Sequence, residues 1–176
     1  MSYLSNFRGL RNLRTVRDLH RLVKEKQPKL VFLMETKLQA RRVEELKSRL
    51  DFQSVFTVDC VGRSGGLAHF WASNISVEIQ NYSRCHINAT IKLADNDQPW
   101  KITCFYGHPD VGKRLKSWNL LCHLNSFDPI PWLCLGDFNE TLEDSEKWGG
   151  ERKKNRRQME GFGGSRFCGT QIHLVE

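Results

Sequence analysis

A nearly continuous apolar run, Lys29–Met34, constrains the fold of this chain more than any other feature of its sequence. Pro28 stands before the run, and Glu35 ends it. The side chains of a strand point alternately to opposite faces of its sheet, so a strand that is apolar at successive positions must be covered on both faces. The run therefore predicts a buried strand with packed layers on both sides.

Three segments have the apolar spacing of helices that pack on one face. The first is Thr15–Lys26, where Thr15 and Asp18 stand in capping-box-like spacing, and Pro28 ends it. The second is Ala40–Leu50. The third is marked by Leu115, Trp118, Leu121 and Leu124.

Short strands fill most of the remaining sequence, separated by turn residues such as those of Gly62–Gly66. In the segment Ile87–Leu93 apolar and polar residues alternate, which predicts a strand with one solvated face. Helices packed outside two stacked sheets would explain this order of elements, and a single mixed sheet has the same periodicity. The other predicted strands are Ser54–Val58, Gly66–Trp71, Val77–Tyr82, Lys101–Tyr106 and Pro131–Leu135.

Composition indicates one compact domain with an anionic partner. The chain has 176 residues and a formal net charge of +7, and Lys and Arg side chains gain affinity for phosphates by releasing counterions. A basic surface without a specific partner would have the same composition. The six cysteines form no CxxC pair, and we find neither a signal peptide nor a membrane-spanning run, so we expect an intracellular protein with reduced thiols and no membrane partner.

Two acidic residues directly follow apolar strands. Glu35 follows the first buried strand, and Asp137 follows Trp132–Leu135, with Asn139 two residues further on. The carboxyl ends of strands commonly form clefts, and hard oxygen donors there suit Mg²⁺, which keeps several waters for a substrate phosphate. Each acid could instead cap a turn or a helix, and the spacing does not distinguish the two interpretations.

Other candidate sites have weaker support. The adjacent pairs Cys85-His86 and Cys122-His123 do not have zinc-ligand spacing, and the six histidines are dispersed, which favours structural roles. A basic cluster near the C-terminus could follow a phosphate backbone or could be a solvated face. This cluster consists of Arg152, Lys153, Lys154, Arg156 and Arg157.

Several strings in order resemble the endonuclease domain of plant non-LTR (LINE-type) retrotransposons. They extend over about residues 1 to 162. The strings are Ser5–Leu10, Phe32–Lys37, Phe105–Gly107, Trp132–Glu140, and Glu146-Lys147 with Gly149-Gly150 followed by Arg157–Met159.

That family is related to abasic-site endonucleases and DNase I, and the resemblance implies an α+β fold, a four-layer α/β/β/α sandwich. Matched position by position, Asn6 would orient the metal and its acid, and Glu35 would bind Mg²⁺, with Mn²⁺ as a substitute. Tyr106 would contact the scissile phosphate. Asp137 would position or deprotonate the attacking water, and Asn139 would stabilise the developing charge. The implied partner is DNA. We expect the protein to be a monomer and to lie in the nucleus rather than in the cytoplasm.

The sequence departs from that family in two places. Ser5 replaces the usual Trp before the first Asn, and after Phe162 the Thr-Trp strand, the Arg-Leu-Asp-Arg stretch and the Ser-Asp-His motif do not appear. We therefore predict a partial domain over residues 1–162, with a fold incomplete at its C-terminal end, and a divergent tail over residues 163–176. The absent Asp-His pair predicts severely reduced or absent nicking and weak or lost DNA binding.

Two other functions are compatible with the same residues. A phosphoesterase of the same superfamily would act on a small or lipid phosphate, although the retroelement-like stretch Glu146–Gly150 argues against it. A non-catalytic nucleic-acid-binding remnant would use the basic cluster without the two acids. The leading hypothesis is a Mg²⁺-dependent DNA endonuclease-type domain of retroelement origin.

Overall fold

The computed structural model describes residues 10–93, 98–125 and 130–139, together with the backbone of residues 2–5. The predicted tail, residues 163–176, lies outside these ranges. The helices are α1 (Leu13–Lys26), α2 (Ala40–Arg49) and α3 (Arg114–Asn125), which a 3-10 turn, Val111–Lys113, precedes. The strands are β1 (Ser2–Ser5), β2 (Leu30–Leu33), β3 (Ser54–Val58), β4 (Leu67–Trp71), β5 (Ser76–Ser83), β6 (His86–Lys92), β7 (Trp100–Tyr106) and β8 (Trp132–Asp137).

The strands form two four-stranded sheets. In the first sheet the order is β1-β2-β4-β3, with β1 parallel to β2, and β4 antiparallel to both of its neighbours. In the second sheet the order is β5-β6-β7-β8, antiparallel except for the parallel pair β7 and β8. Two sheets, rather than a single mixed one, account for the block of short strands in the sequence.

The core is divided into three layers of side chains, which shows why β2 is apolar throughout. Phe32 packs between the two sheets together with Ile87 and Ile102 of the second sheet. Its neighbour Leu33 points the other way, into a cluster that α1 and α2 cover. A third cluster packs α3 on the outer face of the second sheet. The architecture is thus α/β/β/α, as predicted, and both faces of the Leu30–Leu33 strand are buried.

The predicted start of α1 was wrong by two residues. Asn12, not Thr15, caps the helix, and its side-chain oxygen accepts a hydrogen bond of 2.9 Å from the amide of Arg14. Leu13 begins the helix although it is 72% exposed, so it lies outside the apolar periodicity, and the capping-box-like spacing of Thr15 and Asp18 indicated a later start. At the other end, Gln27 adopts a left-handed conformation directly before Pro28, which confirms the predicted end.

The predicted solvated face of β6 is present only towards the end of the strand, where Thr90 is half-buried and Lys92 is exposed. His86 and Asn88 are both buried, and Asn88 accepts a hydrogen bond of 2.8 Å from the hydroxyl of Thr103 on β7. That hydroxyl accepts a bond of 2.9 Å from the indole of Trp132 on β8. The polar side chains therefore bind one another beneath the α3 layer, and an alternating pattern cannot distinguish this arrangement from contact with water.

Two further expectations concern the thiols and the membrane. Cys60, Cys85, Cys104, Cys122 and Cys134 carry thiols rather than disulfides, as predicted, and Cys168 lies outside the described residues. No helix in the described part of the chain is long and apolar enough to cross a membrane.

Candidate active site

The carboxyl ends of three strands meet at one edge of the sandwich. In the first sheet β2 ends at Leu33, which is followed by Met34 and Glu35. In the second sheet the parallel strands β7 and β8 end side by side, with Tyr106 opposite Asp137 in register. A direct contact shows that the two edges coincide, because the amide of Asp137 lies 3.4 Å from the sulfur of the fully buried Met34. We call this rim of the molecule the carboxyl edge.

Glu35 and Tyr106 join the two sheets at the carboxyl edge. The phenol of Tyr106 donates a hydrogen bond of 2.6 Å to Oε1 of Glu35, across 71 residues of chain. Both side chains are half-buried, and Glu35 adopts a left-handed φ of 47° between the fully buried residues Met34 and Thr36. This conformation is unfavourable for a residue with a side chain, so the surrounding structure must hold it.

Asp137 is held by the residues that follow it. The amide of Asn139 donates a bond of 2.8 Å to Oδ1 of Asp137, and the side-chain nitrogen of Asn139 donates one of 2.6 Å to the carbonyl of Gly107. The amide of Gly107 in turn donates to the carbonyl of Asp137 at 2.6 Å. This ring of three bonds closes the end of β8 against the end of β7 and fixes the direction of the Asp137 carboxylate.

Two glycines, Gly107 and Gly136, allow the ends of β7 and β8 to lie this close together. A side chain at Gly107 would overlap the backbone of Phe138, and one at Gly136 would overlap the carbonyl of Phe105. Gly136 also has a φ of 148°, which residues with side chains rarely adopt. Two of the strings quoted above, Phe105–Gly107 and Trp132–Glu140, thus contain the residues that let β7 and β8 pack this closely.

The structure brings four of the predicted site residues together: Glu35, Tyr106, Asp137 and Asn139. Asn6 lies outside the described residues, although β1 ends one position before it, with Ser5 opposite Leu33. The predicted phosphate-binding residues Arg152, Lys153, Lys154, Arg156 and Arg157 also lie outside the described ranges.

We did not predict from the sequence that the loop Asp59–Gly66, between β3 and β4, contacts the backbone next to Glu35. We interpreted its glycines only as turn residues. In the structure the carbonyls of Gly66 and Gly65 accept hydrogen bonds from the amides of Thr36 and Lys37, at 3.1 and 3.0 Å. The loop therefore holds the backbone directly after Glu35, and the run of turn residues was the sequence signal for it.

The donor set at the carboxyl edge fits Mg²⁺. In the described part of the chain no three His, Cys, Asp or Glu side chains lie close enough together to hold a metal ion. Mg²⁺ needs only one or two carboxylates and completes its shell with water. Glu35 supplies one carboxylate. Tyr106 binds its Oε1 and so fixes its orientation, and Oε2 has no partner among the described residues. Asp137 supplies a second carboxylate at the same edge.

His86 lies in the second sheet next to this edge, and its contacts indicate a structural role. Its two ring nitrogens lie 2.7 Å from the hydroxyl of Ser83 and 2.9 Å from the side-chain oxygen of Asn81. Burial lowers the pKa of His86 below its usual range, which favours the neutral ring. The neighbouring Cys85 accepts a backbone bond of 2.7 Å from Tyr106, so this hairpin braces the end of β7.

Basic side chains surround the carboxyl edge on the loops that leave it. Arg11 donates a hydrogen bond of 2.9 Å to the carbonyl of Lys37, two residues after Glu35. Arg63 lies in the loop between β3 and β4, and Arg84 lies at the tip of the hairpin between β5 and β6; both are exposed. Lys113 lies in the turn before α3. These four side chains place positive charge on the loops at the carboxyl edge.

Several solved structures share this architecture. An AP endonuclease from Leishmania major matches with a TM-score of 0.66 and 15% identity, over 92% of this chain and 64% of its own. An AP endonuclease from Archaeoglobus fulgidus matches with a TM-score of 0.61 and 18% identity, over 80% and 58%. A 3′ phosphatase from Neisseria, bound to a product DNA hairpin, matches with a TM-score of 0.58 and 16% identity, over 81% and 59%. The chain thus spans less than two thirds of the length of these proteins.

The two stacked sheets between helices, with the site at the carboxyl edge, define a DNase I-like fold. The family model for the Endonuclease/Exonuclease/phosphatase family matches residues 3–173, and the chain belongs to that family. No curated protein matches it in sequence. The match continues beyond residue 162, and the division there into a domain and a tail stays a prediction.

Proposed function

We propose that this chain is a Mg²⁺-dependent phosphodiester hydrolase domain of the DNA endonuclease type, derived from a retroelement. The observation that carries the proposal is the hydrogen bond between Tyr106 and Glu35, together with Asp137 at the end of the adjacent strand. Metal-assisted hydrolysis of a phosphate ester uses a fixed carboxylate to bind the cation and a positioned base to orient the attacking water, and Glu35 and Asp137 suit these two tasks.

Each described residue of the site has a role in this proposal. Glu35 binds the cation, and Tyr106 holds its carboxylate in place. Asp137, directed by the amide of Asn139, orients a water and accepts its proton. The side-chain nitrogen of Asn139 carries two protons, one of which is used on Gly107, so the second can bind a phosphate oxygen. When bound, Mg²⁺ would polarise the phosphate and stabilise the leaving oxygen.

DNA is the proposed substrate, and the nucleus is the proposed compartment. The exposed cations Arg11, Arg63 and Arg84 support a long anionic substrate rather than a small phosphate, because they are spread over three separate loops. The AP endonucleases and the DNA-bound 3′ phosphatase with the same fold are consistent with this choice. We further propose that the domain acts as a monomer and that Mn²⁺ can replace Mg²⁺.

Low activity is the second part of the proposal. The 176 residues contain no Ser-Asp-His tripeptide. The resemblance implies that this motif would orient the water and hold the phosphate. Without these groups the transition state would lose several hydrogen bonds to charged atoms, each worth about 1.5–3 kcal/mol. Nicking by this chain should therefore be severely reduced or absent, although Mg²⁺ still binds.

The test separates metal binding from cleavage. Mg²⁺ binding is measured by isothermal titration calorimetry on the wild type, on Glu35→Gln and on Glu78→Gln, which makes the same change at an exposed position of β5. We expect binding that only Glu35→Gln weakens, by tenfold or more. Equal binding by all three proteins, or none by the wild type, would refute the metal site.

Nicking of supercoiled plasmid by the wild type and by Glu35→Ala tests the second part. We expect little or no conversion above the Glu35→Ala background. Rapid nicking that Glu35→Ala abolishes would uphold the endonuclease class and overturn the predicted loss of activity. A non-catalytic binding remnant would give a different set of results. The protein would have no Mg²⁺ site, and its DNA binding would depend on salt. Asp137→Asn would leave that binding intact, and neutralisation of Arg152, Lys153 and Arg156 would weaken it.

A further inference from the structure

The backbone around Glu35 is held in an unfavourable conformation. Glu35 and Lys37 both have left-handed φ values, 47° and 56°, and neither is glycine. Each such residue costs about 1–2 kcal/mol relative to a right-handed conformation. Two of them in three positions persist only where neighbouring groups fix the chain.

The loop Asp59–Gly66 supplies those neighbouring groups. Its two consecutive carbonyls, of Gly65 and Gly66, accept the amides of Lys37 and Thr36. Thr36 is completely buried beneath the loop, and its hydroxyl lies 3.4 Å from the amide of Leu38. Glu35 is thus followed by a residue that cannot move unless the loop moves.

Gly66 is the position in the loop where an added side chain would meet the residue that follows Glu35. A Cβ there would overlap the hydroxyl oxygen of Thr36 and would lie 3.3 Å from both the Cβ of Cys60 and the amide nitrogen of Lys37. Its φ of +89° is also unfavourable for other residues. Gly62, in the same loop, has a φ of +62°, but a Cβ there would have no atom within 4 Å. The two glycines share left-handed conformation and differ in contact with Thr36.

We infer that Gly66 is a positioning residue, which acts through Thr36 to fix the Glu35 carboxylate against the phenol of Tyr106. Its effect on metal binding and cleavage rests on the proposed function, whereas its effect on the placement of Glu35 does not. Substitution of Gly66 displaces Thr36, and with it the adjacent Glu35. The hydrogen bond between Glu35 and Tyr106 reports that displacement directly.

The experiment observes the Tyr106 phenol by NMR, with ¹³Cζ-labelled tyrosine in the full chain. Tyr106→Phe assigns its signal, and Glu35→Ala shows where the signal lies when the carboxylate is absent. We expect Gly66→Ala to move the signal towards the Glu35→Ala position and to weaken Mg²⁺ binding at least tenfold. Gly62→Ala, the matched control, should leave the signal at its wild-type position and the Mg²⁺ affinity within twofold of wild type.

Two further variants make the test specific for Thr36. In Thr36→Ala/Gly66→Ala the overlapping hydroxyl is gone, so the Tyr106 signal should return part of the way to its wild-type position. Thr36→Ala alone adds no atom and serves if Gly66→Ala fails to fold. It should also move the signal, because the segment after Glu35 loses the hydrogen bond from the Leu38 amide to the Thr36 hydroxyl. Folding of each variant is checked by circular dichroism and by the signal of exposed Tyr82.

The outcomes separate this inference from the proposed function. An unchanged Tyr106 signal in folded Gly66→Ala or Thr36→Ala, or an equal change in Gly62→Ala, would overturn the positioning role. If the wild type binds no Mg²⁺ and yet Gly66→Ala moves the Tyr106 signal, the proposed function fails and the positioning role stands.

Discussion

At the scale of single residues, the hydrogen bond from Tyr106 to Glu35 is the contact on which the site depends most. Tyr106→Phe removes only the hydroxyl, so the ring keeps its place while the carboxylate loses its partner at 2.6 Å. A bond to a charged group contributes about 1.5–3 kcal/mol. We expect Mg²⁺ affinity to fall about tenfold or more by calorimetry, with Tyr82→Phe, at an exposed tyrosine, as the control. Unaltered affinity in Tyr106→Phe would contradict the positioning of Glu35 by this phenol.

A second residue, His69, makes the stability of the protein depend on pH. Its ring is buried in β4 beside Trp71, and neither ring nitrogen has a hydrogen-bond partner among the described residues. Burial lowers the pKa of His69 to about 4 from its ordinary value of 6.5. Between these values the unfolded state binds more protons than the folded state. The free energy of unfolding therefore keeps its full value above pH 6.5 and falls by about 3 kcal/mol as the pH drops to about 4.

His69→Leu tests this dependence on pH. Leucine removes the titrating group and the two unsatisfied nitrogens, so the variant should be more stable at pH 7 by about 1–3 kcal/mol. It should also lose most of the decline between pH 6.5 and 4, while His86, whose pKa is lowered too, retains a smaller share. Urea unfolding at several pH values measures both effects, with exposed His20→Gln as the control. An identical decline with pH in His69→Leu and the wild type would exclude His69 as its source.

At the scale of elements, the pairing of β7 with β8 depends on Gly136. A side chain there would overlap the carbonyl of Phe105, and the left-handed φ adds strain. We expect Gly136→Ala to destabilise the protein by about 3 kcal/mol or more, or to prevent folding. Gly112→Ala is the matched control, because a Cβ at Gly112 would lie at an ordinary 3.5 Å from Asp110. Thermal unfolding would show the difference, and similar midpoints for the two variants would mean that the strands can separate without loss of stability.

Most elements could be predicted from the sequence because their periodicity reflects burial. The strand Ser54–Val58 was predicted with its correct bounds, and the acids at Glu35 and Asp137 were placed correctly at strand ends. The bond between Tyr106 and Glu35 was not predictable from spacing, since it depends on how one sheet is offset against the other. The buried partners of Asn88 were missed for a related reason, because a polar residue that binds another polar residue has the same pattern as one that binds water.

At the scale of the whole molecule, the cations at the carboxyl edge should determine how DNA binding responds to salt. Arg63 and Arg84 lie at this edge, whereas Lys24 and Arg49 lie near the ends of α1 and α2, at the opposite end of the first sheet. Each phosphate contact contributes about 0.9 to the slope of log affinity against log salt concentration. The double variant Arg63→Gln/Arg84→Gln should therefore reduce the slope by about 2.

Fluorescence anisotropy with a labelled duplex, titrated at several NaCl concentrations, measures this slope. The matched control is Lys24→Gln/Arg49→Gln, which removes the same charge from the far end of the sandwich. The net charge then changes equally in both proteins, so only the location of the lost charges can account for a difference between them. If the two double variants lower the slope by the same amount, DNA is attracted by overall charge alone, and the carboxyl edge is not where it binds.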